Sequence, residues 1–114
     1  MKLVRILNVS LAALAMAGAG AVQAAPDVAK VKQILAGNAC LACHAMDKKV
    51  VGPSYQDIAA KYKGGDAAVA DALAKHIKQG VSGVWGPIPM PPNPNINDAD
   101  LKLVVEWIIA GAPQ

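Results

Sequence analysis

Apolar residues recur every three or four positions in four separate stretches of this chain, which is the spacing of one buried face of an α-helix. The predicted helices cover residues 27–36, 55–62, 67–79 and a last segment that begins at Asn97 and is stopped by Gly111. No segment shows a convincing period of two, the mark of a half-buried β-strand. The pattern therefore predicts one all-α domain without internal repeats.

Between Gly80 and Asn97 the chain has a long segment without regular periodicity, which we call the proline-rich loop, residues 81–96. Loops of this length are uncommon in compact domains unless they are functional. Each proline fixes its own φ angle and lacks an N–H that would need a partner. Because Trp85 and Met90 lie among the prolines, we expect a stiff strap that holds one side chain at a fixed depth, and not a disordered linker.

The first 24 residues have the character of an export signal. Lys2 and Arg5 precede an apolar run over residues 6–21, and Ala24 ends a small-residue site of the kind that signal peptidase reads. This predicts cleavage after Ala24, a mature domain of residues 25–114 and a periplasmic location. The alternative is an uncleaved membrane anchor, which the alanine- and glycine-rich run favours less.

Removal of that segment changes the charge balance of the protein. The full chain carries a net charge of +3, whereas the mature part has nine lysines against eight acidic residues, or +1. This composition excludes a nucleic-acid binder of the basic type. With no phenylalanine, two tryptophans and two tyrosines, the apolar core is thin, and a chain this small usually needs a covalent or cofactor staple.

Residues 40–44 read Cys-Leu-Ala-Cys-His, the C-x-x-C-H signature of c-type haem attachment. Cys40 and Cys43 can each form a thioether with one vinyl group of a single porphyrin, and the imidazole of His44 can then reach the iron. Three competing kinds of site fit the motif less well. A structural zinc site needs four ligands, a thioredoxin-like motif follows a β-strand, and a plain disulfide would not require His44.

Met90 is the predicted second axial ligand. Haem iron with histidine and methionine ligands has a raised reduction potential and no vacant position. Met46 lies two residues after His44 and cannot cross to the opposite haem face, whereas Met90 lies far along the chain in the proline-rich loop. His76 in the third predicted helix is the other candidate, although a lone helical histidine is usually structural or solvated.

Three motifs follow one another along the chain: residues 40–44, then Val51-Gly52-Pro53, then residues 83–93. In these motifs the chain resembles the small bacterial class I cytochromes c, over essentially the whole mature domain. The resemblance implies four helices wrapped around one covalently bound haem, with His44 and Met90 as axial ligands.

The same resemblance implies roles for further residues. The carbonyl of Pro53 is expected to accept the outer N–H of the histidine ligand, and Asn93 to donate to the sulfur of the methionine ligand. Trp85 is expected to point its indole N–H at a haem propionate. His76 is a further candidate for a propionate contact, because it lies at the edge of the buried face of its helix.

These features predict a monomeric one-electron carrier and not an enzyme, since no nucleophile–base pair, carboxylate pair or phosphate loop occurs. The resemblance implies a quinol-oxidising complex as donor and a nitrite reductase or terminal oxidase as acceptor, with no stable membrane insertion after cleavage. A haem peroxidase or gas sensor is the alternative, and it requires an open iron position. A thiol–disulfide oxidoreductase using Cys40 and Cys43 is a second alternative, which haem retention in acid-acetone would exclude.

Overall fold

The computed structural model describes residues 26–114, so the predicted signal segment, residues 1–24, and its cleavage site lie outside the described residues. The described part contains four α-helices: α1 at Val28–Gly37, α2 at Tyr55–Tyr62, α3 at Ala67–Gln79 and α4 at Asp98–Ile109. A short 3₁₀ turn, Cys40–Ala42, lies between α1 and α2. Residues 26–114 contain isolated bridge pairs and no β-strand, which confirms the all-α prediction.

Each helix begins at a side-chain cap. An oxygen of Asp27, Ser54, Asp66 or Asn97 accepts the backbone N–H three residues further on, at distances of 2.8 to 3.1 Å. Such a cap satisfies one of the N–H groups that a helix start leaves without a partner. Asp27 and Asn97 precede their helices, so α1 and α4 begin one residue later than predicted.

Helix α4 is the centre of the packing, because α1, α2 and α3 all contact it. Its Trp107 is fully buried, meets the ring of Tyr55 edge-on at 5.1 Å and donates its indole N–H to the carbonyl oxygen of Pro113 at 2.8 Å. The remaining large apolar residues that are fully or nearly buried are Val31, Ile34, Leu35, Ile58, Leu73, Ile96, Leu101, Val104, Val105 and Ile108.

Helix α3 is less buried than its apolar pattern predicted. Leu73 is its one buried residue, while Val69 and Ile77 are half buried and pack at the edge of the core. For Ile77 the reason is that it borders a cavity, together with Leu73 and His76. A helix face that lines a cavity keeps part of its apolar surface accessible even though it points inward.

The proline-rich loop is folded back on itself. Val81 and Met90 exchange two backbone hydrogen bonds, of 3.1 and 2.8 Å, and the N–H of Asn93 donates to the carbonyl oxygen of Ile77 at 3.0 Å. Near its end Ile96 is buried in the core. The loop is therefore an ordered part of the domain, as its content of prolines and large apolar residues predicted.

We expect replacement of Trp107 by alanine to lower the free energy of unfolding by about 3–5 kcal/mol, because it removes the largest fully buried side chain. Trp107→Phe keeps a ring but loses the hydrogen bond to Pro113, and we expect a smaller loss of about 1–2 kcal/mol. Denaturant titrations of the haem-loaded proteins measure both values. Equal losses in the two variants would contradict the packing role of the ring.

Candidate functional site

The haem-attachment motif forms one tight turn directly after α1. The N–H of His44 donates to the carbonyl oxygen of Cys40 at 3.0 Å, and the N–H of Cys43 donates to the same oxygen at 3.2 Å. Ala39 starts this turn with a φ of +58°, a left-handed conformation that is uncommon for alanine. The turn places the two cysteines and His44 on the wall of one cavity.

Both cysteine side chains are partly exposed free thiols in this structure, and their sulfurs stand for the thioether sulfurs of an attached haem. Burial raises the pKa of the Cys40 thiol, whose deprotonated form is disfavoured beside apolar neighbours. A thioether carries no proton, so this titration ends once haem is attached.

The ring of His44 is held on two sides. Its Nδ1 lies 2.7 Å from the carbonyl oxygen of Pro53, the geometry that the resemblance implied. A carbonyl oxygen only accepts, so Nδ1 carries a proton, and in the neutral ring the lone pair is then on Nε2. The ring of Tyr55 packs against it with a centroid distance of 5.3 Å. His44 is therefore oriented for ligation through Nε2.

Gly52 makes a close contact with His44 that sequence reasoning missed. A Cβ atom at Gly52 would lie 2.6 Å from Cε1 of His44, which is closer than Cβ atoms approach other atoms in proteins, and 3.0 Å from its Nδ1. The N–H of Gly52 also donates to the carbonyl oxygen of Cys43 at 2.8 Å. The sequence signal for this contact was a glycine directly before Pro53, but a Gly-Pro pair is equally typical of an ordinary turn.

A cavity of about 300 Å³ lies between the motif, α3, α4 and the proline-rich loop, within the range of small-molecule and cofactor sites. Most of its wall is apolar, including Leu35, Ile58, Leu73, Val104 and Ile108. The predicted site residues that border it are Cys40, Cys43, His44, Pro53, His76, Trp85 and Met90. The structure thus brings together seven residues that are spread over half of the chain.

Met90 borders this cavity together with His44, and both also border an adjoining cavity with Asn93. The backbone of Met90 is held by its two hydrogen bonds to Val81. A thioether sulfur and an imidazole nitrogen are the donor pair of low-spin c-type haem iron. Two thiols, one imidazole lone pair, one thioether and apolar walls are a donor set that fits a covalently attached haem.

Asn93 links the proline-rich loop to the turn after α1. Its Nδ2 donates to the carbonyl oxygen of Asn38 at 3.0 Å, across 55 positions of sequence. The predicted bond from Asn93 to the sulfur of Met90 is not among the hydrogen bonds of residues 26–114. The second hydrogen on Nδ2 leaves room for it, so that bond stays a prediction.

Trp85 and His76, the two predicted propionate contacts, border the same cavity. The Trp85 ring is 39% exposed, and Nζ of Lys61 lies 5.0 Å from its centroid, within the range of a cation–π contact. Sequence reasoning missed Lys61, because nothing in the sequence connects a lysine of α2 with a loop residue 24 positions away.

Comparisons with known proteins find similarity to cytochromes. A family model described as "Cytochrome C oxidase, cbb3-type, subunit III" matches residues 26–108. The chain is 52% identical over 100 residues to cytochrome c-552 of Nitrosomonas europaea, covering 88% of this chain and 90% of that protein. It is 47% identical over 98 residues to cytochrome c-551 of Stutzerimonas stutzeri, covering 85% and 90% respectively.

The fold is similar to solved cytochrome structures. The crystal structure of wild-type Nitrosomonas europaea cytochrome c552 matches with a TM-score of 0.64 at 54% identity, covering 68% of this chain and 95% of that one. A class 1 cytochrome from Sideroxydans lithotrophicus matches with a TM-score of 0.61 at 28% identity, covering 75% and 96%. These matches confirm the predicted helical fold.

We expect Gly52→Ala to displace the ring of His44 and weaken its bond to Pro53, because the added Cβ cannot fit beside the ring. The free energy of unfolding should fall by about 1–3 kcal/mol, and the NMR signal of the His44 Nδ1 proton should shift. Gly37→Ala is the matched control, since a Cβ at Gly37 meets no atom within 4 Å. It should leave that proton signal in place and stabilise α1 slightly. Identical effects of the two changes would contradict the close contact between Gly52 and His44.

Proposed function

The chain belongs to the family of small bacterial class I cytochromes c, and on this premise we propose that it is a periplasmic one-electron carrier whose haem iron is bound by His44 and Met90. The protein carries one covalently bound c-type haem and is an electron-transfer protein, not an enzyme. The observation that carries the proposal is that His44, Met90 and both cysteines border the same apolar-walled cavity.

In the proposed site Cys40 and Cys43 bind the haem through thioether bonds. Their spacing on one turn sets the position of His44 relative to both cysteines, since the N–H groups of Cys43 and His44 both donate to the carbonyl oxygen of Cys40. When bound, the haem supplies a single iron that gains and loses one electron. The covalent bonds keep it in the small domain throughout many such cycles.

His44 and Met90 are the proposed axial ligands. Met90 raises the reduction potential, because a soft thioether favours the ferrous state. The bond from Nδ1 of His44 to Pro53 orients the imidazole and increases its basicity as a ligand. With both positions filled by ligands suited to either oxidation state, gain of an electron requires little rearrangement of the protein.

The chain also controls access to the site. Helices α3 and α4 contribute apolar side chains that exclude water from the cavity. On the open side, Val51, Val84, Trp85 and Ile88 border the cavity and are still 36 to 62% exposed. An apolar, partly exposed rim of this kind suits brief contacts with partner proteins, through which electrons pass to and from one edge of the haem.

The periplasmic location rests on the signal segment of residues 1–24 and the mature domain of residues 25–114. Within residues 26–114 no helix has the length and apolar character needed to cross a membrane. The proposed donor is a quinol-oxidising membrane complex, and the proposed acceptor is a nitrite reductase or a terminal oxidase. We propose that the protein meets these partners as a monomer.

We expect Met90→Ala to retain the haem but to lower the reduction potential and to open one axial position of the iron. The reason is that Cys40 and Cys43 hold the haem covalently, whereas the thioether ligand is lost. Potentiometry and cyanide binding at neutral pH measure the two effects. Met46→Ala is the matched control, because Met46 packs against the core and does not border the cavity.

An unchanged potential and no cyanide binding in Met90→Ala would contradict methionine ligation. Tight cyanide or carbon monoxide binding by the wild-type protein would instead support the alternative of a haem peroxidase or gas sensor with an open iron position. These outcomes differ, so the two functions are separated by one set of titrations.

We expect a fixed positive charge at position 76 to raise the midpoint potential. The reason is that His76 borders the cavity, and a positive charge there disfavours the additional positive charge of ferric iron. The measurement is the midpoint potential of His76→Lys and His76→Gln at neutral pH.

His76→Lys should have the higher potential of the two variants, because it carries a positive charge that His76→Gln lacks. Equal potentials in the two variants would show that a charge at position 76 does not influence the iron.

A further inference from the structure

We propose that Gly80 is a positioning residue for Met90: the missing side chain at the end of α3 lets the backbone of the proline-rich loop lie close enough for the sulfur of Met90 to reach the iron. This inference rests on the proposed function, in which Met90 is an axial ligand. Gly80 would act through the loop and would not touch the haem.

The first support is a backbone-to-backbone contact. A Cβ atom at Gly80 would lie 2.7 Å from the carbonyl oxygen of Met90 and 3.0 Å from the nitrogen of Pro92. It would also lie 3.1 Å from Cδ of Pro92. These atoms belong to the main chain or to a rigid ring, so they cannot rotate away as the end of a flexible side chain could.

The second support is the conformation of Gly80. Its φ of +81° and ψ of 166° lie in a region that only glycine adopts readily. This conformation turns the chain sharply at the end of α3, so that Val81 runs back beside Met90. The two hydrogen bonds between Val81 and Met90 depend on that turn.

The proline-rich loop is also attached to the end of α3 on the C-terminal side of Met90. The N–H of Asn93 donates to the carbonyl oxygen of Ile77, one of the last carbonyls of α3. Residues 90–93 are therefore held against residues 77–81 at both ends of the contact. Because these hydrogen bonds keep the loop beside the end of α3, the size of the side chain at position 80 sets the distance between the loop and α3.

A side chain at Gly80 would have to increase that distance. The carbonyl oxygen of Met90, which accepts from Val81, would be the first atom displaced. Displacement of the Met90 backbone would strain or lengthen the bond from its sulfur to the iron, while His44 on the opposite side would keep its bond to Pro53. The expected defect is thus specific to one axial ligand.

The experiment compares Gly80→Ala with Gly64→Ala in the haem-loaded protein. Gly64 also has a positive φ, of +74°, but a Cβ there meets no atom within 4 Å, and it lies outside the cavity wall. The measurements are the absorption band of methionine-to-ferric-iron charge transfer, the reduction potential and the affinity for cyanide. A loss of stability alone would leave all three unchanged at temperatures where the proteins stay folded.

We expect Gly80→Ala to weaken the charge-transfer band and to lower the reduction potential. Its affinity for cyanide should rise at least about tenfold, because the strain of a backbone residue changes an equilibrium constant by about that factor. Gly64→Ala should match the wild type in all three. If Gly80→Ala keeps the wild-type band and cyanide affinity, the positioning role is wrong even though Met90 ligation stands. If the wild type itself has no such band, the proposed function fails first.

A second pair of variants covers the case in which Gly80→Ala does not fold. Pro92→Ala removes the ring that lies on Gly80, whereas Pro94→Ala changes a proline of the same loop that is not among the nearest neighbours of that position. We expect faster cyanide binding in Pro92→Ala than in Pro94→Ala, because the contact that seats Met90 is loosened. Equal rates in the two variants would overturn the proposal.

Discussion

The hydrogen bond from Nδ1 of His44 to the carbonyl oxygen of Pro53 connects the haem-attachment motif with the segment that leads into α2. It selects the tautomer with a free lone pair on Nε2, and it holds the ring in contact with Gly52 and Tyr55. Tyr55 in turn packs on Trp107, the largest fully buried side chain in the described residues. The orientation of His44, the proposed histidine ligand, is thereby linked to the centre of the core.

Met90, the proposed second ligand, is held by different means. Met90 lies in a loop whose prolines restrict the backbone. A main-chain hydrogen bond from Asn93 joins that loop to α3, and the side chain of Asn93 joins it to the turn before the haem motif. The hydrogen bond from Asn93 to Asn38 connects the two sides of the site, since it joins the loop of Met90 to the residues just before Cys40. These hydrogen bonds thus restrain the backbone around the haem site of a small domain with a thin core.

The walls of the site account for the difference between the apolar pattern of α3 and its burial. Leu73, His76 and Ile77 border the cavity, so part of their apolar surface lines the haem site and does not pack against another helix. The same applies to the exposed apolar residues of the rim, among them Val84 and Ile88. These residues are exposed because they form the open side of a cofactor site, where partner proteins make contact.

The sequence by itself determined the features that depend on neighbours along the chain. The helix spans and the caps at Ser54 and Asp66 are local features, and they could be predicted to within one or two residues. The spacing of the haem motif is also local, because it is read directly from the sequence. Only the tertiary structure decided the pairs that are distant in sequence: Gly52 against His44, Asn93 with Asn38, Lys61 with Trp85, and Gly80 against Met90. A glycine or a lysine carries no sequence signal for what it touches, because its partner is selected by how the helices pack and not by its neighbours in the chain.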